Sequence, residues 1–175
     1  MPVPYYRQAP AKDGPCAAFL DVVWDADKSR FLGCLLLIDA RGRPLEFVHT
    51  ELKAPSGFLW PEDDVRRLGT VQVAHALFDA CQKEPVMVVC RSTLGAPEFL
   101  RREIAPSIPF AQVQLAEDGD LSWSWVTAPP GAAHPADRLY RELVDRGYVW
   151  EPFERIARGL REVYPDFDAR AETQP

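Results

Sequence analysis

Hydrophobic and polar positions alternate along this chain in blocks that separate cleanly into strands and helices. The clearest block is Phe31 to Leu52, where two apolar runs flank the turn Ala40-Arg41-Gly42-Arg43-Pro44. The pattern predicts strands over Phe31 to Ile38 and Leu45 to Leu52, with Gly42 free to take a positive φ and Pro44 starting a strand where no ladder donor is needed. Period-two spacing puts Leu45, Phe47 and His49 on one face of the latter strand, and Glu46, Val48 and Thr50 on the other. Gly33 inside the former signals a bulge or a close backbone approach. Upstream, AAFLDVVW (Ala17 to Trp24) is apolar on both faces, as in a strand covered on both sides, and the polar turn Asp25 to Ser29 joins it to the next strand. These strands form an antiparallel meander.

After a loop over Lys53 to Trp60, a helix is predicted from Pro61 to Lys83. Glu62, Asp63 and Asp64 sit where the helix dipole favours negative charge, and Val65, Leu68, Val71, Ala74, Leu77, Phe78 and Cys81 recur on one face. Val86 to Cys90 reads as a short buried strand, parallel to a meander strand because a helix precedes it. A helix over Pro97 to Glu103, strands over Phe110 to Ala116 and Leu121 to Val126, and amphipathic helices over Ala136 to Arg146 and Glu151 to Tyr164 follow. The proline-bearing lead-in Met1 to Pro15 is expected to be irregular, and Asp166 to Pro175 a polar tail. The expected fold class is α/β: a mixed sheet with a three-strand meander, then helix-strand units and two C-terminal helices, in one domain spanning residues 1–175.

Composition narrows the function classes. A net charge of −6 argues against a constitutive nucleic-acid binder, because phosphate contacts need clustered Lys and Arg. A protein partner is the expected alternative. The N-terminus lacks the apolar core of a signal peptide, and no apolar run approaches the roughly 20 residues of a membrane span, so no membrane association is expected. Cys16, Cys34, Cys81 and Cys90 form no C-x-x-C pair, and three lie in apolar runs, as reduced thiols of a cytoplasmic protein would.

Several residues are candidates for chemistry. Asp21 interrupts an apolar strand, where a carboxylate is costly unless paired, metal-bound or protonated. It is a candidate catalytic base or metal ligand, or else a carboxylate held by a backbone N–H or by an arginine such as Arg91. Asp25 and Asp27 add carboxylates nearby, in a segment that also reads as a solvated turn. Arg91, Ser92 and Thr93 follow a strand's carboxyl end, where α/β sheets bind ligands; they suit an anion, or the hydroxyls serve as helix caps. His49 and His75 meet if the long helix packs on the meander, and with Glu51 or Asp79 they would suit zinc, yet no H-E-x-x-H spacing supports it. His134 falls in an exposed proline loop. Trp123 and Trp125 share a strand face, either as a stacking platform or as core against the last helix.

The order strand-strand-strand-helix-strand-helix-strand, over about Ala17 to Ala116, resembles that of the ribonuclease-H-like superfamily, which includes endonuclease V, and FLDVVWD is similar to its first-strand Asp motif. That resemblance implies acidic residues on the first strand, near the first helix, at the end of the fourth strand and late in the chain, holding divalent metal ions. Asp21 matches the first. The fourth strand ends instead in Cys90-Arg91, and a cation there repels a metal. The first helix offers Glu62, Asp63 and Asp64 on its exposed first turn, and Asp79 beyond its apolar face. The runs GCLLLIDARGRPLEFVHT, EPVMVVC and EPFERI also resemble a group of bacterial proteins of unassigned function. The leading expectation is therefore a non-catalytic cytoplasmic accessory or protein-interaction domain without a cofactor. The alternative is a metal-dependent nuclease built around Asp21, which requires a divalent metal.

Overall fold

A computed structural model describes residues 14–54, 60–94, 97–126 and 128–167. The lead-in through residue 13, the centre of the 53–60 loop and the tail from residue 168 lie outside the described residues. Six strands make one sheet: β1 (Cys16–Asp25), β2 (Arg30–Asp39), β3 (Pro44–Lys53), β4 (Met87–Arg91), β5 (Phe110–Leu115) and β6 (Leu121–Trp125). Their order is β3-β2-β1-β4-β5-β6. The β1-β2, β2-β3 and β5-β6 pairs are antiparallel, while β4 is parallel to both β1 and β5. Short turns permit the antiparallel pairs; α1 (Glu62–Ala80) and α2 (Pro97–Ile104) return the chain for the parallel ones.

The sheet is covered on both faces. α1 and α2 pack on one, over Ala18, Leu20, Phe31, Leu35, Val88 and Phe110. α3 (Pro135–Asp145) and α4 (Glu151–Val163) pack on the other, over Phe19, Cys34, Leu36, Val89 and Val113. This explains why β1 and β2 are apolar at nearly every position instead of alternating. At Gly42, φ is +73°, and the ring of Tyr148 lies where a side chain would go, so both turn geometry and packing call for glycine.

Three details differ from the sequence-based expectation. The buried stripe of α1 is Val65, Gly69, Val73, Ala74 and Leu77, while Leu68, Val71 and Phe78 flank it. Gly33 of β2 explains the shift: with no side chain there, Val73 descends into the space a Cβ would fill. The bulge falls at Leu37/Ile38, between β2 and β3, so of the two readings of Gly33 the close approach is the one that holds. The bulge also turns Leu45, partly buried, against the α1-side core, not beside Phe47 and His49. α1 starts at Glu62 and ends at Ala80, so Pro61 is its N-cap and the expected last turn to Lys83 is extended chain. The prolines at Pro61 and Pro85 bracket the helix without fixing its last residue.

The candidate site at the β1 carboxylate

The odd-numbered residues of β1, among them Phe19, Asp21 and Val23, point toward α3 and α4. On β4, Met87 and Val89 share that face, and Arg91 continues their alternation. Parallel pairing of Leu20 with Cys90 brings Arg91 beside Asp21. Arg91 Nε donates to Asp21 Oδ1 at 3.0 Å, and Nη2 reaches Oδ1 at 2.8 Å and Oδ2 at 2.7 Å. Asp21 is 3% exposed, whereas the Arg91 side chain keeps 23% of its surface in solvent. Burial raises the Asp21 carboxyl above its usual range; the Arg91 charge, its hydrogen bonds and the Val22 amide oppose that without cancelling it.

Cys34 lies directly across from Asp21 on β2, and His49 across from Cys34 on β3. His49 Nδ1 lies 3.1 Å from the Tyr164 hydroxyl, just past the end of α4. Burial, and then the Asp21 charge, push the Cys90 thiol up to about 12 and raise that of Cys34 as well. Buried, protonated thiols of this kind are inert and fill space.

Asp25 sits four residues along the same strand, on the same face, and has its own arginine. Arg30 Nε donates to Asp25 Oδ2 at 2.8 Å, and the same guanidinium reaches Glu51 and Asp166 at 3.1 Å each. Both candidate carboxylates of β1 are thus matched to separate cations. Asp27 is exposed in the β1-β2 turn. Ser92 and Thr93 form a 3-10 turn after β4 with Ser92 half-buried and Thr93 exposed; Arg91 itself turns back to Asp21.

The histidines do not meet. His49 belongs to the α4 side of the sheet, while His75 is exposed on α1, which covers the opposite side. His134 instead caps α3, accepting from the Ala136 amide at 3.1 Å. The two tryptophans pack against α3 and not against the last helix: Trp123 stacks on Tyr140 with ring centres 3.9 Å apart, and Trp125 meets the same ring edge-on. Neither the Arg30 cluster nor the His49–Tyr164 contact follows from local spacing, since their partners lie far apart in the chain. At the β5-β6 end of the sheet, Arg101, Arg102, Gln112, Ser124 and Trp125 line an open groove of about 720 Å³.

A divalent ion of the kind the resemblance implies needs several oxygen ligands converging on one point. The residues at Asp21 do not fit one. Both carboxylate oxygens are engaged by a guanidinium, and a cation there would have to displace it. Among the described residues, no group of three or more His, Cys, Asp or Glu converges in a geometry suited to a metal.

The chain is an α/β domain whose mixed six-strand sheet follows a ribonuclease-H-like strand order, and an arginine salt bridge takes up the Asp21 carboxylate. The chain is similar to endonuclease V from Streptomyces avermitilis, with 16% identity and a TM-score of 0.44 over 57% of this chain and 45% of that one. It is similar to endonuclease V from Bacillus subtilis, with 11% identity and a TM-score of 0.42 over 57% and 43%. Argonaute of Marinitoga piezophila, in complex with guide RNA and target DNA, matches 75% of this chain and 26% of its own at 9% identity and a TM-score of 0.42. The chain spans less than half the length of these structures. No protein-family model matches it, and no curated protein matches it in sequence. No helix among the described residues is long and apolar enough to cross a membrane.

Proposed function

We propose that this chain is a non-catalytic accessory or protein-interaction domain that keeps a ribonuclease-H-like scaffold without its metal chemistry. The observation that carries this reading is the Asp21–Arg91 pair. A guanidinium occupies the space beside the first-strand carboxylate, and it comes from the strand end where the resemblance implies a second carboxylate. A fixed positive charge there opposes a divalent ion electrostatically. The surface offers apolar side chains for a partner, among them Leu115, Leu121 and Val144. Cytoplasmic residence fits the buried free thiols of Cys34 and Cys90.

The test is thermal unfolding with Mn²⁺ or Mg²⁺ against EDTA, for wild type and Asp21→Asn, together with hydrolysis assays on DNA and RNA. The expected result is the same midpoint with and without metal, and no hydrolysis. A metal-dependent stabilisation of about 2.7 kcal/mol at a hundredfold excess over Kd, abolished in Asp21→Asn and accompanied by hydrolysis of DNA or RNA, would favour the nuclease alternative instead.

A further inference from the structure

The two edges of the sheet are built differently. Native proteins blunt an exposed edge with charge, proline or a bulge, because its unpaired backbone groups template another strand. β3 has all three devices: Pro44 at its start, Glu46, Glu51 and Lys53 along it, and the bulge opposite Leu37/Ile38. β6, Leu-Ser-Trp-Ser-Trp, has none. Among the described residues, no strand pairs with it on its outer side. Beside it, Leu115 and Leu121 face each other across β5-β6 and are 44% and 43% exposed.

We infer that the outer edge of β6 pairs antiparallel with β6 of a second copy of this chain, joining the two sheets into one. This deepens the interaction-domain reading by naming the partner, and it rests on that reading. The strand is nearly self-complementary about Trp123. A two-fold axis there sets Trp123 against the partner's Trp123, Ser122 against the partner's Ser124, and Leu121 against the partner's Trp125. Like side chains then share a face, and no charge is brought into the ladder. The flanks are complementary too. The same register places Asp120, which ends the acidic turn Glu117-Asp118-Gly119-Asp120, opposite the partner's Val126. Val126 lines the groove walled by Arg101 and Arg102, with Glu98 on the same wall and Glu103 3.8 Å from Arg102 Nε. Each copy thus brings the acidic turn toward the partner's arginine-bearing groove, once in each direction, while the five residues of the strand itself carry no charge.

Sedimentation equilibrium across the micromolar range tests this. Wild type is expected to show twice the mass of the chain, with dissociation promoted by salt. Ser122 and Ser124 are exposed, so substitutions there spare the core. The double variant Ser122→Lys/Ser124→Lys sets lysine directly opposite lysine, and its dissociation constant is expected to rise at least tenfold. The charge-paired variant Ser122→Glu/Ser124→Lys sets each glutamate opposite a lysine and is expected to keep the dimer. A monomeric wild type, a dimer indifferent to the double lysine, or a charge-paired variant as dissociated as the double lysine each overturns the inference. Metal-independent unfolding would leave the non-catalytic reading standing in all three cases.

Discussion

Replacing Arg91 by Met removes the guanidinium but keeps most of its aliphatic length, and it leaves the carboxylate of Asp21 behind at 3% exposure. Removing one member of a buried pair costs about 3–5 kcal/mol, mostly because the remaining charge is left desolvated. Arg91 is 23% exposed, so water can reach part of the vacated space, which places the cost near the low end, at about 3 kcal/mol. For a chain of this size that lowers Tm by roughly 6–12 °C. The loss depends on pH with a definite sign. Arg91 supplies the largest influences that lower the Asp21 pKa; without them the folded-state value rises further above the unfolded value of about 3.9. An acid with a raised folded pKa stabilises most below its unfolded pKa, and that stability is lost as pH rises through the folded value. The gap between wild type and Arg91→Met is therefore expected to be wider at pH 8 than at pH 5. Urea unfolding at both pH values, followed by tryptophan fluorescence, measures it. Asp21→Asn/Arg91→Met, with no charge left to bury, should recover part of the loss. A penalty below about 1 kcal/mol at pH 8, or one equal at both pH values, would refute the account of Asp21 as a buried carboxylate held by Arg91.

Gly33→Ala drives a methyl into Val73 where α1 lies on the sheet, and it should destabilise by about 1–3 kcal/mol or more in the same assay, because neither the strand nor the helix can retreat freely. Burial would raise Asp39, but the amides of Arg43 and Arg41 and the Arg43 guanidinium outweigh it and hold the carboxyl below its usual range. Its stabilisation is full above the unfolded pKa and is lost as pH falls through the depressed folded value, so Asp39→Asn should flatten the acid limb of the stability profile. Cys34 and Cys90 should resist alkylation at pH 8 until the chain is unfolded, and Cys81 should react slowly, since burial lifts its thiol to about 11. Mass spectrometry after a timed iodoacetamide pulse reads all four cysteines; rapid labelling of Cys34 or Cys90 in the native protein would contradict the packing.

The succession of elements was legible in the sequence because it rests on local chemistry. Alternation, apolar runs and turn residues specify strands and helices over a few neighbouring positions, and the breaks at Gly42, Pro61 and Pro85 mark where they end. The doubly covered centre of the sheet was also legible, from the run Ala17 to Trp24, apolar on both faces. Of the charge partners, Arg91 was legible only as one of several possible partners of Asp21. Asp21 stood out as a carboxylate in an apolar strand, and Arg91 as a cation at a strand end. Only the parallel register between β1 and β4 brings them within 2.7 Å across seventy residues of sequence. The same holds for Arg30 with Asp166 and for His49 with Tyr164, which meet because α4 and its following turn lie over the meander. The buried stripe of α1 shifted because Gly33, an absence of side chain on another element, decides which turn of the helix can approach. The two halves of a long-range contact carry no mark of each other in the chain. Local residue pattern determined which elements form here; strand register and the depth of helix packing decided whether Asp21 met a metal site or an arginine.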